Sequence, residues 1–186
     1  MKNFKLTLLA VVLFGIACNN SQKNVNVQEI KGKTNTFKLD TIGILTNKNL
    51  DSLILYLEKA ELKESKNIAD IPAFIRKTLN KLTKDDFSIA NPNENWQSTD
   101  VVFNKNLPYR QLIYLGNGKT MTLIVYYRGG FGKSTHILII KHKNEEITDL
   151  WCGVGFKIPD NKEKIIEFIK SHKDKHWGLN TNMIYF

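Results

Sequence analysis

An α+β fold, a four-stranded antiparallel β-meander packed with about three α-helices, is predicted by three features of the sequence. Apolar residues recur at helical spacing over residues 50–62, 71–82 and 165–169. Four strand-like runs follow one another between residues 109 and 156, separated by short polar breaks. The first two are joined through Asn117-Gly118, a strong local hairpin signal.

Taken in order, "NLDSLILYLEKAELK" places apolar residues at 50, 53, 54, 57 and 62, with Asn49 or Asp51 as cap candidates. "DIPAFIRKTLNKLT" repeats the pattern: Asp70 caps, Pro72 falls in the first turn, and Ile71, Phe74, Ile75, Leu79 and Leu82 form a stripe. Residues 83–100 read as a loop that Trp96 pins to the body. "YRQLIYLGNGKTMTLIVYY" is the hairpin, and "THILIIKHK" and "EEITDLWCGVGF" follow with a turn at Asn144. In 120–127 and 136–140 both strand faces are apolar, as in central strands covered on both sides or on a dimer face. "PDNKEKIIEFIKSHKD" closes with a helix that starts at Pro159 and Asp160 and aligns Ile165, Ile166 and Ile169. The tail "NTNMIYF" adds a short edge strand.

The chain has 186 residues, of which 42% are hydrophobic, enough for one domain with a real core. Its formal charge of +9 falls by two, to +7, without Lys2 and Lys5. The positive charges are dispersed and are nearly all lysines: the only arginines are Arg76, Arg110 and Arg128. So few bidentate forks argue against a nucleic-acid partner.

The first 18 residues carry the clearest functional signal. "MKNFKLTLLAVVLFGIAC" starts with Lys2 and Lys5, runs apolar from Leu6 to Phe14, and ends in Gly15-Ile16-Ala17-Cys18. A charged start with a short apolar stretch is a secretory signal, and the stretch is too short to span a membrane comfortably. With small residues before Cys18, the segment resembles the lipobox of bacterial lipoproteins. That resemblance implies cleavage before Cys18, a diacylglyceryl group on its thiol, and attachment to membrane lipid through two or three acyl chains such as palmitate. One chain holds only reversibly, whereas two or more anchor firmly. Asn19 follows the cysteine; the family's retention rule has Asp at that place favour the inner membrane, so Asn19 points to the outer membrane. The expected organisation is a signal peptide (1–17), a lipidated cysteine with a polar tether (18–36), and one α+β domain (37–186). With Cys18 lipidated, Cys152 has no partner for an intrachain disulfide.

"YYRGGFGKST" looks like a phosphate-binding loop, but the position for its first glycine is Tyr127, and Ser134 leads into a strand pattern where a P-loop needs a helix. No nucleotide or other cofactor is expected. The stretch Arg128, Gly129, Gly130, Phe131, Gly132, Lys133 reads as a flexible connection between core strands, and alternatively as a recognition loop with an aromatic tip between two cations. Among the surrounding aromatics Tyr109, Tyr114, Tyr126, Tyr127 and Trp151, most belong to the core. A catalytic alternative pairs Cys152 with His136 or His142 and orients it with Asp149. Parity opposes it, because Asp149 and Cys152 point to opposite faces of one strand. His172 and His176 are four apart near a helix end, but lysines at 170, 173 and 175 oppose a cation and no metal is expected.

These readings converge on a lipid-anchored cell-envelope protein that acts as a non-catalytic protein-binding module of inhibitor, immunity or assembly type. The opposing reading is a small periplasmic hydrolase.

Overall fold

The computed structural model describes residues 37–83, 86–102, 104–174, 184 and 186, all within one unit that spans Thr36–Phe186. Cys18 and the expected signal and tether lie outside the described residues. The elements are α1 (Thr41–Leu45), α2 (Leu50–Lys59), β1 (Lys63–Ser65), a 3₁₀ turn at Ile68–Asp70, α3 (Ala73–Leu82), β2 (Arg110–Asn117), β3 (Met121–Arg128), β4 (Ser134–Lys143), β5 (Glu146–Gly155) and α4 (Lys162–His172). The sheet is an antiparallel meander in the order β1-β2-β3-β4-β5.

The meander therefore has five strands where four are expected. The extra strand, β1, pairs Lys63, Glu64 and Ser65 with Asn117, Gly116 and Leu115. "KES" has no apolar alternation because this edge strand is largely solvent-facing, so only the tertiary pairing reveals it. Helix α1 is a further addition. It has five residues, too few to display a helical period, and begins where Asp40 Oδ1 accepts from the Gly43 N–H at 2.9 Å.

The predicted helices form with shifted starts. Pro72 occupies the cap position of α3 rather than its first turn, and Asp70 instead accepts from Ser65 Oγ. Asn161, not Pro159 or Asp160, caps α4 by accepting from the Lys164 N–H. Asn49 sits at the N-cap of α2 but makes no capping bond. Its amide donates instead to Asp149 Oδ1 at 2.7 Å and to the Leu150 carbonyl at 3.1 Å, tying the helix to β5.

Both faces of β3 and β4 are covered. Leu123, Val125, Ile137, Ile139 and Trp151 lie on one face with α2 and α4, where a Cβ at Gly155 would lie 3.0 Å from the Phe168 ring. Ile124, Tyr126, Leu138, Ile140 and Leu150 lie on the other. There α3 sets Phe74 edge-on to His142, and Phe87 packs edge-on to Tyr126. Each such fully buried aliphatic side chain contributes about 1.5–3 kcal/mol.

The β2–β3 hairpin forms at Asn117-Gly118, yet neither residue has a positive φ. Gly118 is needed for proximity: a Cβ there would lie 2.8 Å from the Glu61 carbonyl. The β4–β5 turn is the two-residue form with positive φ at both centres, Asn144 at 52° and Glu145 at 60°. Most of the tail expected to form an edge strand lies outside the described residues; Ile184 and Phe186 are in no strand.

Candidate functional site

The register brings the start of β2, the end of β3 and the start of β4 to one end of the sheet, with Arg110 opposite Arg128 and Arg128 opposite Ser134. The six-residue loop expected as a recognition element crosses this end. Gly129 donates its N–H to the Tyr109 carbonyl at 2.9 Å, and Gly130, at φ 147°, bridges to Thr99. Phe131 is 100% exposed. Gly132 has open space around it, and Lys133 returns to place its ammonium 4.5 Å from the Tyr127 ring centre.

Tyr127 in turn stacks on Trp96 with centroids 6.1 Å apart and planes 15° from parallel. The 83–100 segment is thus pinned by Trp96, as expected. Ala90 and Thr99 also bridge to Gln111 and Gly130. Buried Gln97 supports the turn beyond, donating through Nε2 to the carbonyls of Thr99 and Val101. Glu94 accepts from the Asn91 side-chain amide and backbone N–H, and these bonds hold its carboxyl below the usual range.

Two clefts flank Gly130. One, of about 520 Å³, is walled by Trp96, Tyr127, Phe131, Lys133, Gln111 and Asp100. The other, of about 660 Å³, is walled by Arg110, Arg128, Tyr109, Leu82, Asp100 and Phe186. Both volumes fall in the range of sites that accept side chains or small ligands. Arg110 is buried, donating from Nη2 to the Phe186 carbonyl at 2.8 Å, with its guanidinium 4.7 Å from the Phe87 ring centre. The Tyr126 phenol lies against this guanidinium; burial pushes its pKa up and the positive charge only partly opposes that.

Of the residues of the catalytic alternative, the structure brings His136 and Cys152 near each other and leaves His142 and Asp149 apart from them. His136 and Cys152 share a face of adjacent strands, but both are buried. His136 stacks on Tyr126, and its Nε2 lies 2.8 Å from Ser134 Oγ. His142 is six residues along the same strand, roughly 20 Å away at the ordinary strand rise. There it contacts Thr122 Oγ1 at 3.2 Å, and burial lowers its pKa. Asp149 is on the opposite face, held by Asn49. His172 stacks on Phe168 at 4.2 Å, and His176 lies outside the described residues. Among the described residues, no three His, Cys, Asp or Glu side chains gather as a metal site requires.

Sequence reasoning missed Asp100, Val101, Val102, Arg110, Gln111 and Phe156 as residues of this end. Arg110 carried a usable signal, being one of only three arginines and standing at the head of an apolar strand. Asp100 and Gln111 share a cleft with the loop, and the segment of Val101 and Val102 and the end of β5 before Phe156 come to this end only through the tertiary pairing. The chain matches no family model, no curated protein and no solved structure, so its site is defined by this geometry alone.

Proposed function

We propose that the chain is a lipid-anchored bacterial envelope protein, held at the outer membrane through a diacylglyceryl group on Cys18, whose α+β domain is a non-catalytic protein-binding module. An inhibitor, immunity or assembly role fits such a module equally. One observation carries the reading: Phe131, wholly exposed at a loop tip between two clefts, with Arg128 and Lys133 beside it. An exposed aromatic next to arginine and tyrosine has the composition of a binding hot spot, and burying the phenyl group in a partner would contribute about 1.5–3 kcal/mol. The hydrolase reading draws no support from His136 and Cys152, which are buried, or from Asp149 on the other face.

The test is affinity capture from crosslinked native envelopes with the full-length lipidated chain and a Cys18→Ala control, read by mass spectrometry. A stoichiometric protein that is lost when Phe131 and Arg128 are both replaced by alanine supports the module. Recovery of no partner, under conditions that retain a known envelope complex, overturns it.

A further inference from the structure

Resting on the reading of the Phe131 loop as a protein contact, we infer that the contact surface is a crown of three loops at one end of the sheet. Its partner is a protein with an apolar patch rimmed by carboxylates. Arg110, Arg128 and Ser134 are aligned across β2, β3 and β4, and Gly155 of β5 stands opposite Thr135. The segments 98–102 with 104–109, 129–133 and 156–161 therefore adjoin the sheet at the same end. Each exposes apolar side chains: Val101 at 58% and Val102 at 47%, Phe131 at 100%, and Phe156 at 70%. Each then presents a lysine, namely Lys105, Lys133 and Lys157.

This concentration is not a general property of the surface. Of the seven large hydrophobic residues exposed among the described residues, these four belong to the crown; Ile42, Leu55 and Tyr56 are on α1 and α2. Adjacent strands are about 4.8 Å apart, so loops leaving neighbouring strands can form one patch. The Thr99–Gly130 bridge fastens two of the loops together. Of the crown's carboxylates, Asp160 stands 3.7 Å from Lys66, leaving Asp100 against three lysines. The rim is therefore basic, and a complementary partner is acidic around an apolar centre. Two features favour a protein over a bilayer. Asp100 adjoins Val101 and would lose its hydration in lipid. The clefts beside Gly130 are concave and sized for side chains rather than for a flat surface.

The experiment places photoreactive benzoylphenylalanine at Val102, Phe131, Phe156 or Leu55 of the full-length chain in living cells. Positions 102, 131 and 156 are expected to crosslink one and the same protein, through a peptide containing Asp or Glu, and position 55 is not. The triple change Lys105→Glu, Lys133→Glu and Lys157→Glu should lower that yield roughly tenfold, and Lys→Gln at the same sites less, because reversal adds repulsion. An adduct at 131 without 102 and 156 overturns the crown and leaves the binding module intact. A yield indifferent to the lysine changes overturns the acidic rim. Adducts only to lipid, together with pelleting on phosphatidylglycerol–phosphatidylethanolamine vesicles that the reversal abolishes, assign the crown to a bilayer. Adducts only between copies of this chain assign it to self-association. No adduct at any position overturns both crown and module.

Discussion

Three glycines of the 129–132 loop should respond to alanine in three different ways. At Gly129 an added Cβ would lie 2.0 Å from the Gln97 carbonyl oxygen and 2.8 Å from the Ser98 carbonyl carbon. Both atoms are backbone, so no side chain can swing aside, and the 97–99 segment must move by about an ångström. Overpacking of this kind costs about 1–3 kcal/mol. The movement also strains the Gly129 to Tyr109 bond at 2.9 Å and the Gln97 to Pro108 bond at 2.8 Å. Each is worth about 1 kcal/mol, so Gly129→Ala should lose about 2–4 kcal/mol. At Gly130 there is space, but φ is 147°, so Gly130→Ala meets only backbone strain of about 1–3 kcal/mol. At Gly132 there is neither a near neighbour nor a positive φ, and Gly132→Ala should stay within about 0.5 kcal/mol of the parent. The assay is urea unfolding of the chain from residue 19, followed by Trp fluorescence, with crosslinking at Phe131 as a readout of loop position. Equal stability for Gly129→Ala and Gly132→Ala would refute the close packing of segment 97–99 against the loop, and with it the architecture of both clefts.

Phe131→Ala should leave the unfolding midpoint unchanged, since the ring makes no buried contact; a shift equivalent to more than about 1 kcal/mol would mean the ring packs on the domain. Asn49→Asp, ordinarily a favourable N-cap change, should destabilise by about 2 kcal/mol, because it removes the donor to Asp149 and Leu150 and sets a second carboxylate beside Asp149; the same melts read it. His142 has its folded pKa lowered by burial, so the unfolded chain binds more protons just below the ordinary histidine value. Its stability contribution is complete above about pH 6.5, is lost as pH falls from there toward the folded pKa, and should vanish from the pH profile in His142→Gln. Cys152 is the sole thiol of the chain from residue 19 and is buried, so alkylation should await unfolding; rapid modification of the native protein would place the thiol at the surface and revive the catalytic alternative.

The elements legible in advance are those whose own side chains bury a continuous face. Leu50, Leu53, Ile54 and Leu57 announce α2, and Ile165, Ile166 and Ile169 announce α4, because one helical stripe meets one sheet face. The two-sided apolar runs of β3 and β4 likewise foretell cover on both faces. The loop from Arg128 to Lys133 stands out by its composition, an aromatic between two cations among glycines. Its environment was not legible. Trp96 and Tyr127 are 31 positions apart in the chain and stack only because β3 ends where the 83–100 segment crosses it.

By itself the sequence determined the α+β class, the main helices, the β2–β3 and β4–β5 hairpins, and the parity that keeps Asp149 away from Cys152. All of these follow from local periodicity and turn chemistry. Tertiary structure alone decided the fifth strand, the bonding of Asn49 to β5, and the bringing of the ends of β2, β3, β4 and β5 that carry the neighbouring loops to one end of the sheet. These depend on strand register and on contacts between distant segments, for which no local pattern exists. A short polar strand such as Lys63–Ser65 is stabilised by the strand beside it, and that partner lies some fifty residues further along the chain.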